Sequence, residues 1–259
     1  MPFACSVAHR HLCGKGAAPP ARRQLPVSTE PTEPSESFQF ATLPGGREVG
    51  QVAPLKNGPG VGHAVTTRKG GLFPADVEDG GDMYEQLAGE LGCSDAAWCR
   101  QVHGASVLAV DRGGGAGEAD GLVSDTPGLA LLGFSADCPL ILAADASGKA
   151  VGIAHASWRG TIGRIAERLI AAMGEHFGTN PADVIACVGP SAGPDRYEVG
   201  ADVYDAAIAG IGPDAKNFFI RTIRTTPTTR TDRPDKWLFD LWSANASQLM
   251  GAEDDADLP

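Results

Sequence analysis

Residues 129–155 read LALLGFSADCPLILAADASGKAVGIAH, and this stretch decides the fold. It contains three continuous apolar runs, at 129–134, 140–144 and 151–154, and each has the length of a single strand. Runs of this kind are typical of strands that are buried on both faces of a sheet. Cys138 precedes the second run and His155 follows the third. We therefore expect two reactive side chains at the ends of buried strands.

The remaining pattern contains more strands than helices. The clearest helix is predicted over 161–177, where apolar residues recur at steps of three and four. Thr161 is expected to cap this helix and Gly178 to end it. The glycine-rich stretch 113–117 is interpreted as a flexible connection, and it lacks the spacing of a dinucleotide-binding loop. Strands that do not alternate regularly with helices predict an α+β layered fold in a single domain rather than a Rossmann domain.

The composition excludes several classes of protein. The chain has 259 residues, of which 42% are hydrophobic, and a formal net charge of −11. It contains no block of Lys and Arg, so neither a nucleic-acid polymer nor an anionic membrane is expected as a partner. No uninterrupted apolar run reaches the roughly 20 residues that cross a bilayer, and no secretory signal is evident. The predicted location is the cytoplasm.

Three regions are expected along the chain. Residues 1–45 are rich in Pro, Ser, Thr, Ala and Arg and show no helical or strand period, which predicts a disordered leader. Residues 46–251 are expected to form the folded domain. Residues 252–259 are predicted to be an acidic tail.

Two histidines and one cysteine are candidates for a metal site. His103, Cys138 and His155 each lie among residues that favour tight turns. Zinc binds imidazole and thiolate readily, and three protein ligands with a fourth position left for water is the catalytic arrangement. A lone histidine at the end of a strand is more often a surface residue than a ligand, so the residue types alone leave both interpretations open.

Eight short motifs in chain order give the sequence a family resemblance. They are TTRKGG (66–71), QVHG (101–104), EADG (118–121), ADC (136–138), HASWRGT (155–161), GPS (189–191), YEVG (197–200) and FDL (239–241). From about Gly62 to Gly251 the chain resembles the laccase-domain, or multicopper polyphenol oxidoreductase, family, which includes proteins called purine nucleoside phosphorylases and peptidoglycan-editing factors. Each motif is short, but eight of them in order are specific.

The resemblance carries expectations for the fold and for the metal. It implies a four-layer mixed α/β/β/α sandwich that is similar to cysteine hydrolases. It also implies that His103, Cys138 and His155 are the metal ligands, with zinc as the expected metal and copper as the alternative.

The activity that the resemblance implies is phosphorolysis of purine nucleosides, such as adenosine, inosine and methylthioadenosine, together with zinc-assisted deamination of adenosine. A purine nucleoside and phosphate are therefore the expected partners. Deamination needs a metal-activated water and a nearby acid or base, which Asp137 or Glu198 can supply. Asp137 can equally orient a ligand histidine, as carboxylates around zinc often do. Asp120 is interpreted as a turn former before Gly121, as an alternative to a role in the site.

Phosphorolysis needs an anion clamp. Arg68 and Arg159 are the candidates, because their planar forks match phosphate oxygens. Gly70 and Gly71 would let backbone amides approach the same anion. The alternative for Arg68 is a pair with a surface carboxylate. Trp158 can stack on the purine base, or it can simply pack against the helix that follows.

Three other functions remain open at this point. The chain can be a cysteine hydrolase that acts on cell-wall precursors, with Cys138 as nucleophile and His155 as its base. It can be a copper-dependent polyphenol oxidase, although its only His-x-His pair is His9 with His11. It can also be a binding module that holds a nucleoside without turning it over.

Overall fold

The computed structural model describes residues 3–9, 38–57, 61–69, 81–222 and 236–254. The strands in these ranges are β1 (Phe3–His9), β2 (Phe38–Thr42), β3 (Glu48–Val52), β4 (Val61–Thr66), β5 (Asp95–Arg100), β6 (Val107–Ala109), β7 (Gly114–Glu118), β8 (Gly121–Ser124), β9 (Leu129–Ser135), β10 (Leu140–Asp145), β11 (Val151–His155), β12 (Val184–Val188), β13 (Glu198–Gly200), β14 (Phe219–Thr222) and β15 (Lys236–Phe239). The α-helices are α1 (Ala53–Lys56), α2 (Gly81–Glu90), α3 (Trp158–Ile162), α4 (Ile165–Phe177), α5 (Ala201–Gly210) and α6 (Leu241–Asp254).

The strands form three sheets. Sheet A has seven strands in the order β2-β3-β4-β1-β9-β5-β7, and sheet B has five in the order β12-β10-β11-β8-β6. Sheet C has three strands in the order β13-β15-β14. The fold is thus a mixed α/β fold, and the prediction of a single α+β domain is confirmed at this level. No helix among the described residues is long and apolar enough to cross a membrane.

The core is built around the strands that the opening stretch of sequence predicts. Leu131 and Leu129 of β9 belong to a buried apolar cluster shared with sheet B, whereas Leu132 and Ala130 belong to one shared with α2. Successive side chains of a strand point to opposite faces, so β9 is covered on both sides. A third cluster lies between sheet B and α4. The uninterrupted apolar runs are therefore explained by burial on both faces.

The prediction of a disordered leader over 1–45 is wrong for two segments. β1 lies inside sheet A, where Phe3–His9 pairs antiparallel with both β4 and β9. β2 pairs with β3 at the edge of the same sheet. The stretch FACSVA at 3–8 is apolar, but a composition averaged over 45 residues conceals it. Residues 1–2 and 10–37 of the predicted leader lie outside the described residues. At the other end, α6 continues to Asp254, into the predicted acidic tail.

The helix predicted over 161–177 is two helices, α3 and α4. The chain turns at Arg164, whose φ of 62° is left-handed, and Ser157 rather than Thr161 caps α3 by accepting a hydrogen bond from the backbone N–H of Gly160. A side chain at Gly163 would lie 2.8 Å from the Cβ of Ala105, so α3 runs close to the loop that follows β5. Gly178 ends α4 as predicted, with a φ of 67°.

The glycine-rich stretch is also not a loose connection. Most of it forms β7, which pairs parallel with β5. The backbone N–H of Gly113 donates to the carboxylate of Asp95 at 2.9 Å, which fixes the start of this strand.

Candidate active site at the junction of two sheets

The chain crosses from sheet A to sheet B three times at one common edge. The first crossing, residues 101–106, joins β5 to β6. The second, residues 119–120, joins β7 to β8, and the third, residues 136–139, joins β9 to β10. The crossings share an edge because β5 runs parallel to both β7 and β9. β11 ends there as well, since its last residue pairs with the first residue of β10. The topology therefore gathers four side chains from separate parts of the sequence: His103, Asp120, Cys138 and His155.

Asp120 is the buried centre of this junction, with 2% of its surface exposed. Its Oδ1 lies 3.0 Å from Nδ1 of His155 and accepts the backbone N–H of His103 at 3.0 Å. Its Oδ2 accepts the backbone N–H of Gly104 at 2.7 Å and that of Val102 at 3.3 Å. One carboxylate thus contacts both histidines and the backbone of the first crossing.

These contacts set the charge on Asp120. Burial alone raises the pKa of this carboxyl, but the hydrogen bonds from His155 and Gly104 outweigh burial and hold the pKa below its ordinary value of 3.8. The group is therefore ionised at neutral pH and can only accept hydrogen bonds. It follows that Nδ1 of His155 carries the hydrogen in this contact. His155 is itself 4% exposed.

His103 approaches His155 from the first crossing. Its ring meets that of His155 edge to face, with centroids 4.9 Å apart and ring planes at 87°. Its φ of 58° lies in the left-handed region, which residues other than glycine rarely adopt. The Asp120 carboxylate holds this conformation by accepting the backbone N–H of His103. Unlike His155, His103 is exposed.

Cys138 lies in the third crossing and is half-buried. Burial raises the pKa of its thiol, and the negative charges of Asp137 and Asp120 raise it further. Asp137 is exposed, and its carbonyl accepts the backbone N–H of Ala192 at 2.9 Å, which ties the crossing to the loop after β12. The thiol therefore lies in a negatively charged corner of the site.

Trp158 and Arg159 begin α3 directly beyond the junction. The Arg159 guanidinium lies 4.2 Å from the centroid of the Trp158 ring and is exposed. Trp158 is half-buried against the apolar cluster of sheet C, so packing accounts for part of its surface. Burial raises the pKa of Tyr197 to about 12, an effect that the Cys138 sulfur adds to and the Arg159 charge opposes. Tyr197 is therefore within electrostatic range of both residues.

Arg68 stands on the same edge of sheet A. Val65 of β4 and Gly133 of β9 both pair with Cys5 of β1, so the ends of β4 and β9 are level. Two strand spacings separate β4 from β9, or about 10 Å. Arg68 is exposed. Gly70 and Gly71, the other predicted contacts of an anion, lie outside the described residues.

Residues 63–253 match the family model described as multi-copper polyphenol oxidoreductase laccase. The chain belongs to this family. The resemblance that the eight motifs predict is thereby confirmed, and the match includes all four residues of the junction.

The chain is also similar to two curated relatives and to one solved structure. A protein of Deinococcus radiodurans named purine nucleoside phosphorylase is 38% identical over 166 residues, which are 58% of this chain and 65% of that protein, just under two thirds of its length. A protein of Xylella fastidiosa with the same name is 34% identical over 213 residues, covering 76% of this chain and 75% of the relative. The crystal structure of YlmD from Geobacillus stearothermophilus gives a TM-score of 0.62 at 28% identity, with 84% of each chain covered.

The donor set at the junction fits zinc by its chemistry. Two imidazoles and a thiol are zinc donors, and Asp120 orients His155 as a carboxylate orients a ligand histidine. Their positions are not those of a closed coordination sphere. Within the described part of the chain, no three His, Cys, Asp or Glu side chains are placed to hold one metal ion together.

Sequence reasoning does not assign a definite role to Asp120 or Tyr197. For Asp120 the sequence leaves a turn-forming role and a role in the site open, and the structure shows its side chain bonded to residues far along the chain. Tyr197 was part of a family motif without a role of its own. Glu198, the alternative acid or base, is exposed at the start of β13.

The junction depends on the close approach of α3 to the first crossing, and Gly160 tests this. A Cβ there would lie 2.8 Å from the carbonyl oxygen of Gly104, so Gly160→Ala must displace the loop that carries His103. We expect the free energy of unfolding in urea to fall by about 1–3 kcal/mol. The NMR signals of the His103 ring should shift as well.

Gly89→Ala is the matched control, because nothing lies within 4 Å of a Cβ at this helical position. It should stabilise the protein by about 0.5–1 kcal/mol and leave the His103 signals in place. A Gly160→Ala protein with the free energy of unfolding of wild type and with unshifted His103 signals would contradict the close contact between α3 and the loop.

Proposed function

We propose that this laccase-family chain is a zinc-dependent purine nucleoside phosphorylase that also deaminates adenosine. The observation that carries the proposal is the pair of histidines joined by one buried carboxylate, with a cysteine and two candidate anion-binding arginines at the same edge. The name of the relatives supports a purine nucleoside and phosphate as substrates. Adenosine, inosine and methylthioadenosine are the nucleosides we propose.

His103, Cys138 and His155 would hold the zinc ion. When bound, zinc supplies Lewis-acid chemistry that makes water a nucleophile near neutral pH. The electrostatics of the site favour a cation at this place, because the thiol must lose its proton to become a ligand while two carboxylates oppose that loss. A bound cation offsets both negative charges.

In deamination, the acid–base group we propose is Asp137. Its carboxylate is exposed and directly precedes Cys138, so it is free to face a substrate. One of its oxygens would take the proton of the attacking water and then deliver it to the departing amine. Asp120 cannot do this, because four hydrogen bonds already occupy its two oxygens.

In phosphorolysis, Arg159 and Arg68 would hold the phosphate beneath the sugar. A phosphate oxygen forms a bond to the anomeric carbon while the bond from that carbon to the purine nitrogen breaks, and the purine leaves with the electron pair and gains a proton. The stacked Arg159 is well suited to this role, since the Trp158 ring covers one face of the guanidinium and leaves its N–H edge open. Backbone amides of Gly70 and Gly71 belong to the same proposal.

The four-layer α/β/β/α sandwich and a cytoplasmic location are the finer parts of this proposal. The order of the apolar clusters supports the layers, because α2 packs on sheet A, sheet A on sheet B, and sheet B on α4.

A cysteine hydrolase is the second candidate, and the contact between Asp120 and His155 favours it. Such a pair also orients the base of a catalytic cysteine. The raised pKa of Cys138 argues against this function, since nucleophilic cysteines have a lowered pKa. Copper oxidation of phenols has less support, because the full sequence contains only six histidines and one His-x-His pair.

Removal of the thiol tests the metal and the reaction together. Wild-type protein should retain zinc in an equimolar amount after gel filtration and release adenine from adenosine only when phosphate is present. Cys138→Ala should lose the zinc and at least about 100-fold in both phosphorolysis and deamination, because a ligand is gone. Cys93→Ala, at a buried cysteine under α2, should keep the zinc and both activities.

The outcomes separate the two candidates. Zinc-loaded wild-type protein should resist alkylation of Cys138 by iodoacetamide. Rapid alkylation with loss of an amide-hydrolysing activity would favour the hydrolase and contradict the zinc proposal.

Arg159→Gln tests the phosphate clamp. A charge-assisted hydrogen bond contributes about 1.5–3 kcal/mol, so the KM for phosphate should rise about 10- to 100-fold. Deamination measured without phosphate should stay within about twofold of wild type, since the metal ligands are untouched. Lys69→Gln removes an exposed cation near Arg68 and is the control. An unchanged KM for phosphate in Arg159→Gln would remove Arg159 from the proposed clamp.

A further inference from the structure

We infer that Asp120 is the positioning residue of the site: its single carboxylate sets the tautomer of His155 and the backbone conformation of His103, so that both imidazoles face one space. The inference rests on the proposed function only for the identity of what those imidazoles bind.

The geometry is specific because one oxygen atom serves both histidines. Oδ1 of Asp120 is 3.0 Å from the ring nitrogen Nδ1 of His155 and 3.0 Å from the backbone nitrogen of His103. A shift of this oxygen therefore moves the two rings relative to each other. The backbone adds a further link, since the N–H of His155 donates to the carbonyl of Asp120 at 2.7 Å.

A turn-forming role does not explain these contacts. An aspartate that forms a turn bonds to backbone groups about two residues farther along the chain. The partners of Asp120 lie 16 to 18 residues away in the first crossing, and 35 residues away at His155. Its side chain therefore connects separate segments of the fold rather than shaping its own.

An amide cannot replace this carboxylate. Asparagine has one accepting oxygen and one donating nitrogen, whereas all four partners of Asp120 are donors. If the amide oxygen faces His155 and His103, its nitrogen meets the N–H groups of Gly104 and Val102. If the amide is reversed, both histidines lose their acceptor. Asp120→Asn thus breaks one set of contacts in either orientation while it keeps the shape of the side chain.

The tautomer of His155 is the direct readout. Long-range ¹⁵N–¹H NMR spectra of the metal-free protein at neutral pH should show His155 with a hydrogen on Nδ1. This measurement requires neither nucleoside nor zinc. In Asp120→Asn we expect the Nε2–H tautomer to gain population and the His103 signals to move, with zinc affinity lowered about 10- to 100-fold.

Asp95→Asn is the matched control. The Asp95 carboxylate also accepts two backbone N–H groups, from Gly113 at 2.9 Å and Ala96 at 2.8 Å, but at the start of β5, away from the junction. The Asp95→Asn protein should be less stable than wild type, with no change in the His155 tautomer or in zinc affinity. A general loss of structure would affect both variants alike, whereas positioning affects only Asp120→Asn.

Two results would overturn the inference. One is a wild-type spectrum in which Nδ1 of His155 carries no hydrogen, a result that does not depend on whether Asp120→Asn folds. The other is a folded Asp120→Asn protein whose tautomer and zinc affinity equal those of wild type. A wild-type protein with the Nδ1–H tautomer but without phosphorolysis would contradict the proposed function and leave the role of Asp120 in place.

Discussion

A single buried carboxylate joins the two large sheets at the edge where the chain passes between them. The three crossings follow β5, β7 and β9, which run in the same direction, so their ends must meet. Sheet pairing brings these segments near one another but does not fix the loops themselves. The hydrogen bonds of Asp120 to the first crossing and to His155 fix the positions of the loops, and the other residues of the candidate site lie around them.

The same carboxylate leaves a negative charge in the site that no described hydrogen bond to a cationic side chain of Lys or Arg neutralises. Asp120 is ionised and satisfied by its donors, yet its charge still acts on the neighbouring thiol, together with that of Asp137. A buried negative charge next to a group that must itself become negative is unfavourable unless a cation is close. Arg159 lies close enough to this corner to lower the pKa of Tyr197, and the zinc ion that we propose would be a second cation there.

The sequence predicts the buried strands well and the connections between them poorly. β9, β10 and β11 are predicted because burial on both faces leaves continuous apolar runs. β1 is missed, since a single short strand is hidden in a long polar segment and its pairing partners are far along the chain. The break between α3 and α4 is missed as well, because it lies at the left-handed backbone conformation of Arg164, which apolar periodicity does not reveal.

The candidate site shows the same limit. His103, Cys138 and His155 are identified through the family resemblance, because spacing alone leaves a surface role open. The importance of Asp120 cannot be predicted from its neighbours in sequence, since its partners are brought to it only by the fold. Tyr197 is likewise assigned by proximity to Cys138 and Arg159.

We propose that the first crossing, the third crossing and the end of β11 bring His103, Cys138 and His155 around one zinc ion. X-ray absorption at the zinc edge of the loaded protein tests it most directly. We expect one sulfur at about 2.3 Å and two imidazole nitrogens at about 2.0–2.1 Å, with a light atom in the remaining position. A zinc environment without sulfur, or with the same spectrum in wild-type protein and in Cys138→Ala, would contradict it.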